Sequence, residues 1–297
     1  MHPNYKFDQR VKIKKIEFYI TNVCNLTCDR CNRYNNHDFK GWQNWADFES
    51  EYSKWAQHIS IQQIVILGGE PLLNPSILDW VRGLNQLWRR PVQILTNGTR
   101  LNHVRGLYEL LSDRTHTNFV GISWHNTESL QELESTIFEF LASDARKLPD
   151  DDPMVKLFGA DFVYQDGNDI NIPVWIQDHF SDASLKSNNG IFSLHNNDPL
   201  LAHERCGFVK HGSYHFIRGK LYKCGPVALL PDFDSQHLID MSDEDRTLLN
   251  SYKPLSADDF ESLGGEFLDN IDNPIPQCKF CPVNSDFKKI LAIRKNS

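Results

Sequence analysis

No stretch of this 297-residue chain is apolar for long enough to cross a membrane. The segment Met1 to Lys15 is polar and basic and lacks the apolar core of a secretory signal. These two absences predict a cytoplasmic protein with no membrane partner. A basic stripe is also missing. The formal net charge is -8 and the acids are spread throughout, which disfavours DNA or RNA as partner but leaves a free nucleotide open. We find no internal repeat and no long low-complexity tract. What the chain does have is enough apolar residues, 40%, for a packed core. It also has seven cysteines, which in a cytoplasmic chain point to metal or redox chemistry more than to disulfides.

Three of the cysteines lie in Cys24-Asn25-Leu26-Thr27-Cys28-Asp29-Arg30-Cys31. Thiolates this close can hold three irons of a four-iron cluster. Such clusters normally take four cysteines, so one iron is left open for another ligand. The alternative is a zinc site completed by a distant residue.

Around this triplet the first half alternates strand and helix. Lys14 to Ile20 reads as a strand, and Cys24 follows a few residues after it. Asn44 to Ile59 reads as a helix whose Trp45, Phe48, Tyr52 and Trp55 form a core stripe. Ile64 to Leu67 is a short buried strand running into Gly68-Gly69-Glu70-Pro71, where two glycines allow close backbone approach. A helix follows from Asn74-Pro75. Val92 to Leu95 is the next strand, ending in Thr96-Asn97-Gly98, and Phe119 to Ser123 is a fourth, ending in Ser123-Trp124-His125. Thr127 to Leu148 reads as a long helix. Val155 to Tyr164 and Ile172 to Ile176 are expected as strands five and six. Each early unit places its polar or cysteine-bearing segment just after a strand, where parallel α/β folds build their sites.

The chain resembles the radical SAM enzymes, whose signature is Cys-x3-Cys-x2-Cys. The resemblance covers residues 15–125 well and 200–285 moderately. It implies an α/β fold, a partial parallel (β/α)6 barrel over residues 1–185, with a C-terminal α+β auxiliary-cluster domain over 186–297. It further implies that Cys24, Cys28 and Cys31 hold a [4Fe-4S] cluster whose open iron binds S-adenosylmethionine. By the same resemblance Gly68, Gly69 and Glu70 hold the cofactor's ammonium through backbone and acid, Asn97 lies near it, and Ser123 contacts its ribose. Arg30 departs from the family, which has an aromatic residue before the third cysteine. Arg30 could stack on the adenine through its planar guanidinium.

The other four cysteines are Cys206, Cys224, Cys278 and Cys281. Ser213 to Ile217 and Lys220 to Tyr222 flank Arg218-Gly219 and read as a hairpin that brings Cys206 and Cys224 near each other. Asp182 to Gly190 reads as a loop, Ala257 to Ile271 as a helix, and the basic tail as the solvated end of a helix. The spacing resembles the auxiliary-cluster module called twitch, a reduced SPASM domain, and implies a second, fully protein-ligated [4Fe-4S] cluster. Structural zinc is the alternative.

The function expected is reductive cleavage of S-adenosylmethionine to a 5′-deoxyadenosyl radical. That radical would take hydrogen from a small polar metabolite such as a sugar, aminocyclitol or nucleoside. If the auxiliary cluster takes an electron, the net change is a dehydrogenation, as in the twitch-bearing aminocyclitol dehydrogenase. The electron for cleavage would come from an external reductant such as flavodoxin or ferredoxin. His125, Asp178 and His179 are candidate bases. The alternatives are a peptide-modifying maturase, although strand one begins too early to leave room for a leader-binding domain in front, and a non-enzymatic metal-binding or electron-transfer protein.

Overall fold

The structure is a computed structural model and describes residues 10–125, 129–208, 212–283, 288–290 and 292–295. Its strands in chain order are β1 (Val11–Tyr19), β2 (Leu26–Cys28), β3 (Ile59–Leu67), β4 (Val92–Thr96), β5 (Phe119–Trp124), β6 (Arg146–Lys147), β7 (Phe162–Gln165) and β8 (Asn171–Ile176). They continue with β9 (His179–Phe180), β10 (Leu185–Asn188), β11 (Ile191–Leu194), β12 (Tyr214–Ile217), β13 (Lys220–Tyr222), β14 (Ile239–Asp240), β15 (Lys288–Lys289) and β16 (Ala292–Arg294). Nine strands form one sheet in the order β13-β12-β1-β3-β4-β5-β8-β7-β6. The six from β12 to β8 run parallel, and both ends finish in antiparallel hairpins. The described strands therefore form an open sheet with no closed barrel.

Helices α1 (Trp45–His58), α2 (Ile77–Trp88), α3 (Leu107–Ser112) and α4 (Leu130–Phe140) connect the parallel strands. The last four residues of β1 and of β3 are all buried, as expected of parallel strands covered on both faces. The aromatic stripe of α1 is core, as the spacing predicts: Tyr52 and Trp55 are fully buried. Their rings meet Phe18, Trp80 and Phe216 with centroids 5.0–5.5 Å apart, in edge-on or tilted contacts. Phe18 comes from β1 and Phe216 from β12, so the second half of the chain completes the core of the first. Trp55 Nε1 donates to the Gly219 carbonyl at 2.7 Å and fixes the β12–β13 turn on α1.

The expected fifth and sixth strands need correction. Val155–Phe158 is helical, within a short helix Pro153–Phe158. Asp152 caps it by accepting from Met154 N at 2.8 Å, and Pro153 at its first position pre-sets the backbone. The strand begins only at Phe162, and β7 pairs antiparallel with β8, so one parallel strand stands where two were expected. Asp182 to Gly190 is not simply a loop. Leu185–Asn188 pairs with Ile191–Leu194 around Asn189-Gly190, whose φ values of 49° and 80° suit a tight hairpin turn. The predicted long helix after Thr127 is shorter, since α4 ends at Phe140 and β6 follows. Thr127 itself lies outside the described residues. The basic tail is not a helix end: β15 pairs with β9 and β16 with β2. No helix among the described residues is long and apolar enough to cross a membrane.

The β1–β12 junction carries a buried charge group. Glu17 and His215 are register partners, and His215 Nε2 lies 3.0 Å from Glu17 Oε2. Arg33 Nη2 donates to the same oxygen at 2.8 Å, and Lys15 Nζ lies 3.0 Å from Oε1. Burial first, then the Arg33 charge, holds the His215 imidazole down to about 4. Burial would raise Glu17, but His215, Arg33 and Lys15 together hold its carboxyl well below the usual carboxylate range.

The unfolded chain protonates His215 near pH 6.5 while the folded chain does not until about 4. This contribution to stability is therefore complete above about pH 6.5 and is lost as the pH falls towards 4. The Glu17 contribution is lost at still lower pH, as its depressed folded value is crossed. Thermal melts at pH 7.5, 6.0 and 5.0 should show the parent losing stability faster than His215→Gln. Equal slopes for the two proteins would contradict this assignment.

Candidate functional site

Five parallel strands of the sheet deliver residues to one cavity of about 270 Å³ at their C-terminal ends. The loop after β1 supplies Cys24, Cys28, Cys31, Asn32, Arg33 and Asn35. Leu67, Gly68 and Gly69 come from the end of β3, and Leu95, Thr96 and Asn97 from β4. Ser123 and His125 come from β5, and Gln177 and Phe180 follow β8. The structure thus gathers Cys24, Cys28, Cys31, Gly68, Gly69, Asn97, Ser123 and His125, which the sequence singled out separately.

The two glycines are required by packing. Gly69 N donates to the Thr21 carbonyl at 2.7 Å and Glu70 N to that of Val23 at 2.8 Å, so the β1–β3 pairing continues to the residue before Cys24. A Cβ on Gly68 would come 2.5 Å from the Thr21 oxygen, and one on Gly69 2.3 Å from the Val23 oxygen and 2.9 Å from Cys24 Cβ. Glu70 differs from expectation. It is fully buried and does not line the cavity. Its Oε1 accepts from Leu72 N at 2.9 Å and Thr96 Oγ1 at 2.7 Å, and its Oε2 from Asn97 N at 2.8 Å. The acid therefore ties the end of β3 to the end of β4. Burial pushes its carboxyl up, against the pull of these three donors.

A second tie reaches the cysteine loop. Asn97 Nδ2 donates to Asn25 Oδ1 at 3.0 Å, and Asn25 Nδ2 donates to Thr99 Oγ1 at 2.8 Å. Thr99 Oγ1 in turn donates to Asn97 Oδ1 at 2.6 Å. The C-terminal tail covers the other side. Ala292, Ile293 and Arg294 pair with Cys28, Thr27 and Leu26, and Lys295 N donates to the Asn25 carbonyl at 2.9 Å. Ile290 packs with Leu26 and Cys28.

Burial, with the neighbouring thiols adding to it, raises Cys24 and pushes Cys28 up to about 12. All seven cysteines are free thiols. Crowding buried thiols in one another's field favours a bound cation, which would draw off their protons. The triplet therefore fits a metal cluster. Among the described residues, no three His, Cys, Asp or Glu side chains converge on a single-ion site. A four-iron cluster spreads its ligands over a larger body than one ion.

His125 Nδ1 lies 3.0 Å from the Gln177 carbonyl. A carbonyl only accepts, so Nδ1 carries the proton and Nε2 is the acceptor. Burial lowers the His125 pKa and keeps the ring neutral. Asp178 and His179 are not brought to this cavity. They pair with each other at 2.6 Å, and His179 is half exposed. Arg30 is not on the cavity either. Its guanidinium pairs with Asp182 and lines an adjoining polar cavity of about 550 Å³ that shares Cys31. Arg33, Gln177 and Phe180 belong to no motif and were not singled out by the sequence.

The other four cysteines also assemble. Cys224 caps the helix Gly225–His237, and Cys206 follows the helix Pro199–Glu204. Cys278 and Cys281 sit on one turn, where Cys281 N donates to the Cys278 carbonyl at 3.0 Å. Asn197 Nδ2 holds the Cys281 carbonyl at 2.8 Å. Burial first, then the charges of Cys206 and Cys278, pushes Cys281 up to about 12, and burial with the other three thiols raises Cys224. In this set Cys224 is buried and Cys206, Cys278 and Cys281 are partly so.

Residues 18–130, the segment carrying the triplet, match the Radical SAM superfamily. A probable GTP 3′,8-cyclase of Methanothermobacter thermautotrophicus is 31% identical over 108 residues, 36% of this chain and 35% of that protein. One from Saccharolobus islandicus is 29% identical over 112 residues, 37% of this chain and 36% of that one. The chain spans about a third of the length of these relatives. Streptococcus suis SuiB bound to S-adenosylmethionine is similar over 42% of this chain and 27% of its own, at 20% identity and a TM-score of 0.32. At that score the likeness identifies no function.

The glycine geometry predicts opposite signs for two alanine substitutions. Gly69→Ala should destabilise the fold by at least about 2 kcal/mol, because its Cβ meets a backbone oxygen. Gly265→Ala has nothing within 4 Å, lies in the helix Phe260–Asn270, and should be neutral or stabilising by up to about 1 kcal/mol. Urea denaturation of both checks this, and a tolerated Gly69→Ala would contradict the close approach.

Proposed function

We propose that the chain is a radical SAM enzyme acting on a small polar metabolite, with Cys24, Cys28 and Cys31 holding a [4Fe-4S] cluster. The observation that carries this reading is a cavity in which three clustered thiols, Cys28 buried and Cys24 and Cys31 partly so, meet the ends of five parallel strands. When bound, a cluster with an open iron and S-adenosylmethionine supplies an electron that breaks the sulfonium carbon–sulfur bond, leaving a 5′-deoxyadenosyl radical that takes hydrogen from a substrate carbon.

The chain's own residues have distinct parts. The Gly68–Gly69 backbone holds the cofactor's ammonium, because the Glu70 carboxylate is already committed to Leu72, Thr96 and Asn97. Glu70 and Asn97 keep the strand ends and the cysteine loop in register. Ser123 faces the cofactor's ribose. Phe180, Ile290 and the paired tail exclude water. His125 Nε2 accepts a proton from the substrate. Arg30, held by Asp182, lines the adjoining polar cavity, and there it meets the substrate's polar groups rather than the adenine.

For the substrate we favour a nucleoside or another sugar-bearing metabolite. The polar lining of the adjoining cavity supports this, and so does the nucleotide in the relatives' name. Cys206, Cys224, Cys278 and Cys281 would hold an auxiliary [4Fe-4S] cluster. An external one-electron reductant of the flavodoxin or ferredoxin type supplies the electron for cleavage. Bound at the auxiliary site, such a cluster would supply a one-electron acceptor, and with His125 taking one proton from the substrate the net change would be a two-electron dehydrogenation.

The test is iron and acid-labile sulfide per chain after anaerobic reconstitution. We expect about eight irons in the parent and about four when Cys24, Cys28 and Cys31 are all replaced by alanine. About four irons in the parent would leave no auxiliary cluster and no acceptor for dehydrogenation. No iron, with zinc in its place, would overturn the reading.

A further inference from the structure

One short loop joins the two cysteine sets. Cys31 and Arg33 both line the first cavity, and Tyr34 follows Arg33. Tyr34 has a left-handed backbone, with φ 64°, which turns its ring away from the cavity and into the second core. There it packs with Phe233 and shares a cluster with Phe280, the residue before Cys281. The ring is fully buried, and its hydroxyl is shielded from solvent with no hydrogen-bond partner. Burial, and then the charge at Cys281, pushes the phenol up, against the pull of the nearby Ser184 hydroxyl.

A second orphan lies beside it. Arg33 Nη2 is held by Glu17, but Arg33 Nη1 is buried without a partner. It packs against Gly225, the residue after Cys224, so closely that a Cβ there would come within 2.1 Å. Ser184 Oγ lies 3.3 Å from Cys281 Sγ. Buried donors are rarely left unmatched, and two orphans beside one cysteine set call for an acceptor there.

We propose that Tyr34 Oη, Arg33 Nη1 and Ser184 Oγ donate hydrogen bonds to the sulfur atoms of a four-iron cluster at Cys206, Cys224, Cys278 and Cys281, and so set its reduction potential. This rests on the auxiliary cluster proposed above. Reduction adds negative charge to the sulfurs, and donors stabilise the reduced state. They therefore raise the potential and make the auxiliary site a better electron acceptor. Two of the three donors, Arg33 and Tyr34, come from the loop after Cys31, so the element that would hold the first cluster would also tune the second.

Tyr34→Phe removes the hydroxyl and keeps the ring, and Ser184→Ala is the second probe. Each is measured by potentiometric titration with electron paramagnetic resonance, beside an iron count, in the chain with Cys24, Cys28 and Cys31 replaced by alanine. Tyr34→Phe should keep about four irons and disfavour reduction about tenfold, a fall of about 59 mV for a one-electron couple. Ser184→Ala should shift the potential the same way by less. Full iron with unmoved potentials in both variants would overturn the donor assignment and leave the auxiliary cluster standing. No iron in the unsubstituted background would overturn the auxiliary cluster itself, and the donor assignment with it. Should Tyr34→Phe lose its iron, the potential of Ser184→Ala decides.

Discussion

The backbone of Thr21–Val23 lies so close to Gly68–Gly69 that no side chain fits between them. Much of the site depends on that approach. It carries the pairing of β1 and β3 past the end of the sheet and delivers Cys24 at a fixed height above the strand ends. Glu70 then extends the constraint sideways to β4 through Thr96 and Asn97, and Asn97 returns it to the cysteine loop through Asn25. A chain of short polar contacts between rigid strand ends suits a site that must hold a reactive group in one place. The aromatic core beneath, built on Phe18, Tyr52, Trp55 and Phe216, keeps those strands in position.

The second half of the chain is not an appendage to this site. Its β12–β13 hairpin extends the main sheet beside β1, its tail pairs with the cysteine loop, and the loop after Cys31 reaches into its core. The two cysteine sets are thus mechanically linked by β1, by the Glu17, Arg33 and His215 group, and by residues 31–35.

Much of the site was legible because its residues sit in short local patterns. Cys24, Cys28 and Cys31 are close in sequence, and Gly68–Gly69, Asn97 and Ser123 each end a strand with clear β-branched character. The hairpin at Arg218-Gly219 was readable from its turn, and it forms as expected. Other features were hidden for physical reasons. The apolar residues of Val155–Phe158 suggest a strand, but the Asp152-Pro153 start signal makes a helix. Asn189-Gly190 carries a hairpin signal that the polar surroundings masked. The three donors that Glu70 accepts from, Leu72 N, Thr96 Oγ1 and Asn97 N, were not legible, because sequence does not reveal which partners a carboxylate meets after folding. Arg33, Tyr34, Gln177 and Phe180 have no local signature at all, since tertiary packing alone brings them to the two sites.

The central claim is that the cavity of Cys24, Cys28, Cys31 and Gly68–Gly69 cleaves S-adenosylmethionine reductively. The most direct measurement is chromatographic detection of 5′-deoxyadenosine after the cluster-loaded, chemically reduced chain is incubated with S-adenosylmethionine under anaerobic conditions. We predict steady formation of 5′-deoxyadenosine, abolished in the Cys24→Ala chain. Absence of 5′-deoxyadenosine from a reduced chain with a full complement of iron would contradict the account.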